Sequence, residues 1–99
     1  MRSVLDYTTR YIYNGSTGTT TTNVNDTWNP VAMANDKNGN ELKNFPDDKA
    51  EMTVNVNRAP MSFTLTQNAK PNEPYNTVTL AEAVGDEDEV EFVIYKRIL

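Results

Sequence analysis

The chain predicts an all-β domain, a small antiparallel sandwich or barrel of about six to eight short strands. Three observations carry that expectation. Apolar residues alternate with polar ones in several short runs, as they do on half-buried strands. Turn residues separate those runs at short intervals, and no heptad, repeat or long apolar run interrupts them. Asn and Thr together supply 26 of the 99 residues, while histidine and cysteine are absent, a composition suited to turns and solvated strand faces.

Taken in order, residues 3–13 place Leu5, Tyr7, Thr9, Tyr11 and Tyr13 on one face and Val4, Asp6, Thr8, Arg10 and Ile12 on the other. This is a strand with an aromatic face. Asn14-Gly15 then reads as a tight turn. Residues Thr19, Thr20, Thr21 and Thr22 are β-branched and polar on both faces, which suits an edge strand or an extended arm within 14–27. Trp28 precedes Asn29-Pro30 and reads as an anchor at the end of the core. Residues 31–34 and 41–45 flank Asn38-Gly39, which implies a hairpin with that pair at its tip.

Met52, Val54 and Val56 alternate with polar neighbours, as do Met61, Phe63 and Leu65, so two half-buried strands are expected. The link Asn57-Arg58-Ala59-Pro60 is short enough for a hairpin, with Pro60 confined to a sheet edge. Thr79-Leu80-Ala81-Glu82 matches a capping box and Gly85 a helix end, so one short helix near 80–84 competes with a strand there. Residues 90–98 are apolar on one face and partly apolar on the other, so this last strand is expected to be central in its sheet or covered on both sides. Leu5, Met52, Val54, Phe63, Phe92 and Ile94 are the expected core. Residues 1–99 are expected to form one domain, with loops 14–27 and 35–48 left as surface.

Composition also narrows the function. Without histidine or cysteine the chain lacks the side chains that most often perform acid-base, nucleophilic and soft-metal chemistry near neutral pH. Ser3, Ser16 and Ser62 have no histidine to activate them, and the lysines show no catalytic spacing. The segment from Asp36 to Asp48 has oxygen side chains at alternate positions, but a calcium loop beginning at Asp36 would need glycine where Glu41 stands. No catalytic residue, cofactor or metal is therefore expected, and the protein is read as a non-enzyme. Formal charge is −5 with a pI near 4.5, and the basic residues are scattered, so nucleic acid is not an expected partner. No apolar run approaches the ~20 residues of a spanning helix, so no membrane partner is expected either. The opening Met1–Asp6 lacks the apolar stretch of a secretory signal, and synthesis in the cytoplasm is the expectation.

The hydrophobic fraction of 37% is low for a globular domain, which favours a thin two-layer β structure or a subunit that buries more surface against copies of itself or a larger protein. A structural or assembly role follows as the first expectation, through self-association or docking on a lattice. In overall composition the chain is similar to small virion components of bacteriophages, such as capsid decoration proteins and minor head or tail proteins, which would place it in the virion. The alternative is an acidic inhibitor or adaptor that fills a basic groove on a host protein, with Asp86, Glu87, Asp88 and Glu89 as its working surface. A carbohydrate-binding surface built on Trp28 and the tyrosines is a third expectation. The candidate partner-binding residues are thus Asp86, Glu87, Asp88, Glu89, Trp28, Thr19, Thr20, Thr21 and Thr22.

Overall fold

A computed structural model describes residues 5–15, 25–30, 33–67 and 75–98. Seven strands form two antiparallel sheets: β1 (Leu5–Asn14), β2 (Asn25–Trp28), β3 (Met52–Val56), β4 (Ala59–Pro60), β5 (Phe63–Thr66), β6 (Thr77–Val84) and β7 (Glu89–Ile98). One sheet runs β1-β7-β3-β4 and the other β2-β6-β5. The arrangement is that of a small β sandwich.

The strongest alternation makes the longest pairings. β7 lies between β1 and β3, with Tyr13, Tyr11 and Thr9 opposite Val90, Phe92 and Ile94, and Val54 opposite Phe92 on the other side. The central place expected for the last strand is the place it occupies. Its inward residues Val90 and Phe92 are fully buried, and Val93 on the opposite face is only 3% exposed without belonging to the core cluster. From the three-stranded sheet Trp28, Phe63, Val78, Leu80 and Val84 meet Tyr13, Met52, Val54, Val90 and Phe92. Phe92 is the hub: its ring centroid lies 5.9 Å from Tyr13, 5.3 Å from Trp28 and 5.0 Å from Phe45. Such tilted and edge-on contacts add to the burial of area itself.

Several local expectations are corrected. The short helix near 80–84 does not form. Thr77, Val78, Thr79 and Leu80 pair with β5, and Thr79 and Val78 pair with β2 as well, so two ladders outweigh a single helical turn. Asn14-Gly15 does not close a hairpin, because the neighbour of β1 is β7 from the far end of the sequence. Glycine serves there for close approach: a Cβ on Gly15 would overlap the Gly85 carbonyl. Residues 33–34 and 41–45 are not strands, residues 31–32 lying outside the described ones, although Gly39 sits at a turn with φ 84°, the left-handed conformation glycine tolerates. Asn57 and Arg58 do close a hairpin with positive φ of 51° and 68°, the mark of a type I′ turn. Its second strand is only β4, with Pro60 at the sheet edge. The chain then crosses to the other sheet instead of continuing the pairing through Phe63. Of the expected core, the side chain of Leu5 lies outside the described residues and Ile94 is partly buried. Leu42 and Phe45, expected in a hairpin strand, are core residues supplied by a loop.

Candidate binding surfaces

The acidic run is partly engaged in hydrogen bonds of the fold. Residues 85–88 form a turn in which Asp88 N–H donates to the Gly85 carbonyl (3.1 Å) and Gly85 N–H to Asp88 Oδ2 (2.8 Å). Asn57 Nδ2 donates to Asp88 Oδ1 (3.0 Å), and Gly15 N–H donates to the Asp88 carbonyl (3.0 Å). Asp88 thus fastens the β3–β4 turn and the end of β1 to the β6–β7 turn. The Asn57 amide, followed by the Gly85 N–H, holds its carboxyl below the usual carboxylate range, since both bonds favour the charged form. Glu89 N–H donates to Asn57 Oδ1 (2.9 Å), and the Glu89 carbonyl accepts from Asn57 N–H (2.8 Å). Glu91 accepts from Arg10 Nη1 (3.2 Å) and Asn55 Nδ2 (3.0 Å) on the outer face of the sheet. Asp86 and Glu87 stay exposed, with no side-chain bond among the described residues.

Trp28 is removed from the surface altogether. It is 0% exposed and packs on Tyr13 at 5.6 Å between ring centroids, so neither a protein lattice nor a sugar can reach it. Tyr13 is equally buried and Tyr11 packs against the core, while the side chain of Tyr7 lies outside the described residues. Burial first, and the nearby Asp36 carboxylate second, push both phenols above their ordinary range. The Tyr13 hydroxyl and the Trp28 indole N–H have no hydrogen-bond partner among the described residues, an expense that the surrounding aromatic packing offsets. Thr19, Thr20, Thr21 and Thr22 lie outside the described residues.

Asp36 does something that its oxygen-rich neighbourhood did not announce. It is 5% exposed and accepts from Asn38 N–H (3.0 Å) and Asn40 N–H (2.7 Å) through Oδ1 and from Ile12 N–H (3.0 Å) through Oδ2. Lys37 N–H donates to the Ile12 carbonyl (2.8 Å). The loop therefore caps the free edge of β1, one way of blocking unwanted strand pairing. No cluster of three or more carboxylates that could hold a metal occurs among the described residues.

The opposite situation holds at β5. Ala81 N–H donates to the Ser62 carbonyl (2.8 Å), and Thr64 and Thr66 stand opposite Thr79 and Thr77. That register turns the N–H and C=O groups of Phe63 and Leu65 away from β6. Nothing among the described residues bonds to them. Beside this edge lies a groove of about 490 Å³ lined by Asp47, Asp48, Lys49, Thr64, Leu65 and Gln67.

The far wall of the groove is held by a residue the sequence did not single out. Asn76, 4% exposed, donates from its backbone to Asn44 Oδ1 (2.8 Å). Its side-chain amide donates to the Phe45 carbonyl (3.0 Å), the Pro46 carbonyl (3.1 Å) and Asp47 Oδ1 (2.8 Å). Asp48 caps the 3₁₀ turn Lys49–Glu51 by accepting from Ala50 N–H (2.9 Å). The Gln67 side chain donates to the Asp47 carbonyl and closes one end. Nothing in the local pattern around Asn76 marks it, since one Asn among 13 looks like any other turn residue.

A second hollow of similar size is lined by Pro30, Met33, Glu41, Leu42, Lys43 and Tyr75. It lies near the end of the other edge strand of the three-stranded sheet, β2. No protein-family model, no curated protein and no solved structure matches the chain.

Proposed function

We propose that this protein is a non-enzymatic assembly protein, a small virion component of a bacteriophage that docks on a larger protein lattice. The observation that carries the reading is the open edge of β5. A strand with unpaired backbone groups is a template for another chain, and here it is short, flanked by a groove and left uncovered by the described residues, while β1 is capped at Ile12. The absence of histidine and cysteine supports a binding role over a catalytic one. The virion setting rests on composition: low apolar content, an excess of Thr and Asn, and long polar loops.

Light scattering of the protein, alone and as extracted from its natural source, tests the reading. Recovery in a particle much heavier than the 11.2 kDa chain supports it, and a chain that stays free in its source contradicts it. The inhibitor reading retains Asp86 and Glu87 as its exposed carboxylates. Reversing both charges would abolish an electrostatically driven complex and leave docking through β5 intact.

A further inference from the structure

We propose that the β5 edge accepts an extended basic segment of a different protein as an added strand. The inference rests on the assembly reading and names the partner's chemistry. Phe63 and Leu65 offer outward N–H and C=O groups in the spacing that one more strand requires. The exposed side chains of Thr64 and Thr66 are neutral, so β5 itself carries none of the charged residues that guard many edge strands.

Charge selects the occupant. The groove wall holds two carboxylates, Asp47 and Asp48, and one ammonium, Lys49. The ammonium lies 4.9 Å from the centroid of the Phe63 ring, where a cation is held by the ring face. Asp47 uses Oδ1 for Asn76 and Asp48 uses Oδ1 for Ala50. The second oxygen of each has no bond among the described residues. A Lys or Arg side chain on the incoming strand would meet those oxygens. A second copy of this chain is disfavoured: two-fold pairing of β5 with itself would bring two sets of Asp47 and Asp48 together, between chains that each carry −5.

The test titrates the full chain with a blocked hexapeptide alternating lysine and valine, and with its glutamate counterpart, while following backbone amides by NMR. The lysine peptide is expected to shift the Phe63 and Leu65 amides saturably and to bind about tenfold tighter than the glutamate peptide, a gap of about 1.4 kcal/mol. Leu65→Pro removes the outward donor without touching the ladder to β6 and should abolish the shifts. Should that variant not fold, the double variant Asp47→Asn and Asp48→Asn keeps both hydrogen-bond acceptors and should erase the lysine preference.

No saturable shift at these amides, an undiminished response in Leu65→Pro, or a β5-linked dimer of the free chain would overturn the proposal. Co-sedimentation with the native particle separates this failure from failure of the assembly reading. Wild type and Leu65→Pro sedimenting alike would refute the β5 site and keep the assembly role. A chain that binds the lysine peptide at β5 but never sediments with a particle would refute the assembly role, and with it the proposal that rests on it.

Discussion

The two sheets end differently. On the four-stranded sheet the Asp36 loop bonds to Ile12 on the β1 edge, and the opposite edge strand β4 is two residues long with Pro60 in it. The turns at one end are locked as well, by Asp88, Asn57 and Gly15. The three-stranded sheet ends on β2 and β5, and the outer backbone groups of Phe63 and Leu65 on β5 bond to nothing among the described residues. A buried carboxylate committed to three backbone donors is a device for stability and for refusing partners. An uncapped edge beside a groove does the reverse, and the contrast locates the face left available for binding.

Substitutions should separate the two regions by the property they change. The largest effect is expected where the sheets share a residue. Phe92→Ala removes a ring that touches Tyr13, Trp28 and Phe45 and should cost about 3–5 kcal/mol, a large part of the stability of a small domain. Chemical denaturation would show it as a sharply lowered midpoint. Next come the closing devices. Asp36→Ala leaves the N–H groups of Ile12, Asn38 and Asn40 without their acceptor and should cost about 1–3 kcal/mol. Gly15→Ala, which forces the Gly85 backbone to move, should cost about 1–3 kcal/mol. Amide exchange should then quicken along the β1 edge while β5 is unchanged.

Titration sharpens the same contrast. The folded state raises the Tyr11 and Tyr13 pKa above 10.0, so the stabilisation they contribute is complete below pH 10 and is lost as pH rises beyond it. Ultraviolet absorbance should show these phenols ionising together with alkaline unfolding. Asp88 behaves in the opposite sense, its folded pKa lying below 3.8. Its contribution is present above pH 3.8 and fades as pH falls through the lower folded value. The stability difference between wild type and Asp88→Asn should shrink over that acidic range.

The smallest stability effects are expected at exposed sites. Leu65→Pro should cost only about 1 kcal/mol, for partial loss of apolar burial, yet it should remove docking. Arg10→Ala breaks an ion pair whose Arg10 side chain is 60% exposed and should change stability by about 0–1 kcal/mol.

How far the sequence disclosed this depends on the range of the interaction. The strands at 5–14, 52–56, 63–66 and 89–98 follow from side-chain alternation, a local property that survives folding. The Asn57-Arg58 turn and the edge position of Pro60 were legible for the same reason. The roles of Gly15, Asp36, Asn76 and Asp88 were not, because each acts on backbone groups 20 or more residues away, except where Asp36 and Asp88 also bond within their own turns. Trp28 is the core anchor that the sequence suggests, but its burial, decided by which sheet lies above it, removes it from the partner-binding candidates. The open edge of β5 was hidden too, since the sequence names strands but not their order.

Amide hydrogen exchange at single-residue resolution, on the free protein and on the protein docked in its native particle, tests the central claim most directly. Ile12 and Lys37 should be protected in both states, and Phe63 and Leu65 should exchange fast when free and slowly when docked. Fast exchange of Phe63 and Leu65 in the docked state, or protection of both in the free chain, would contradict the account.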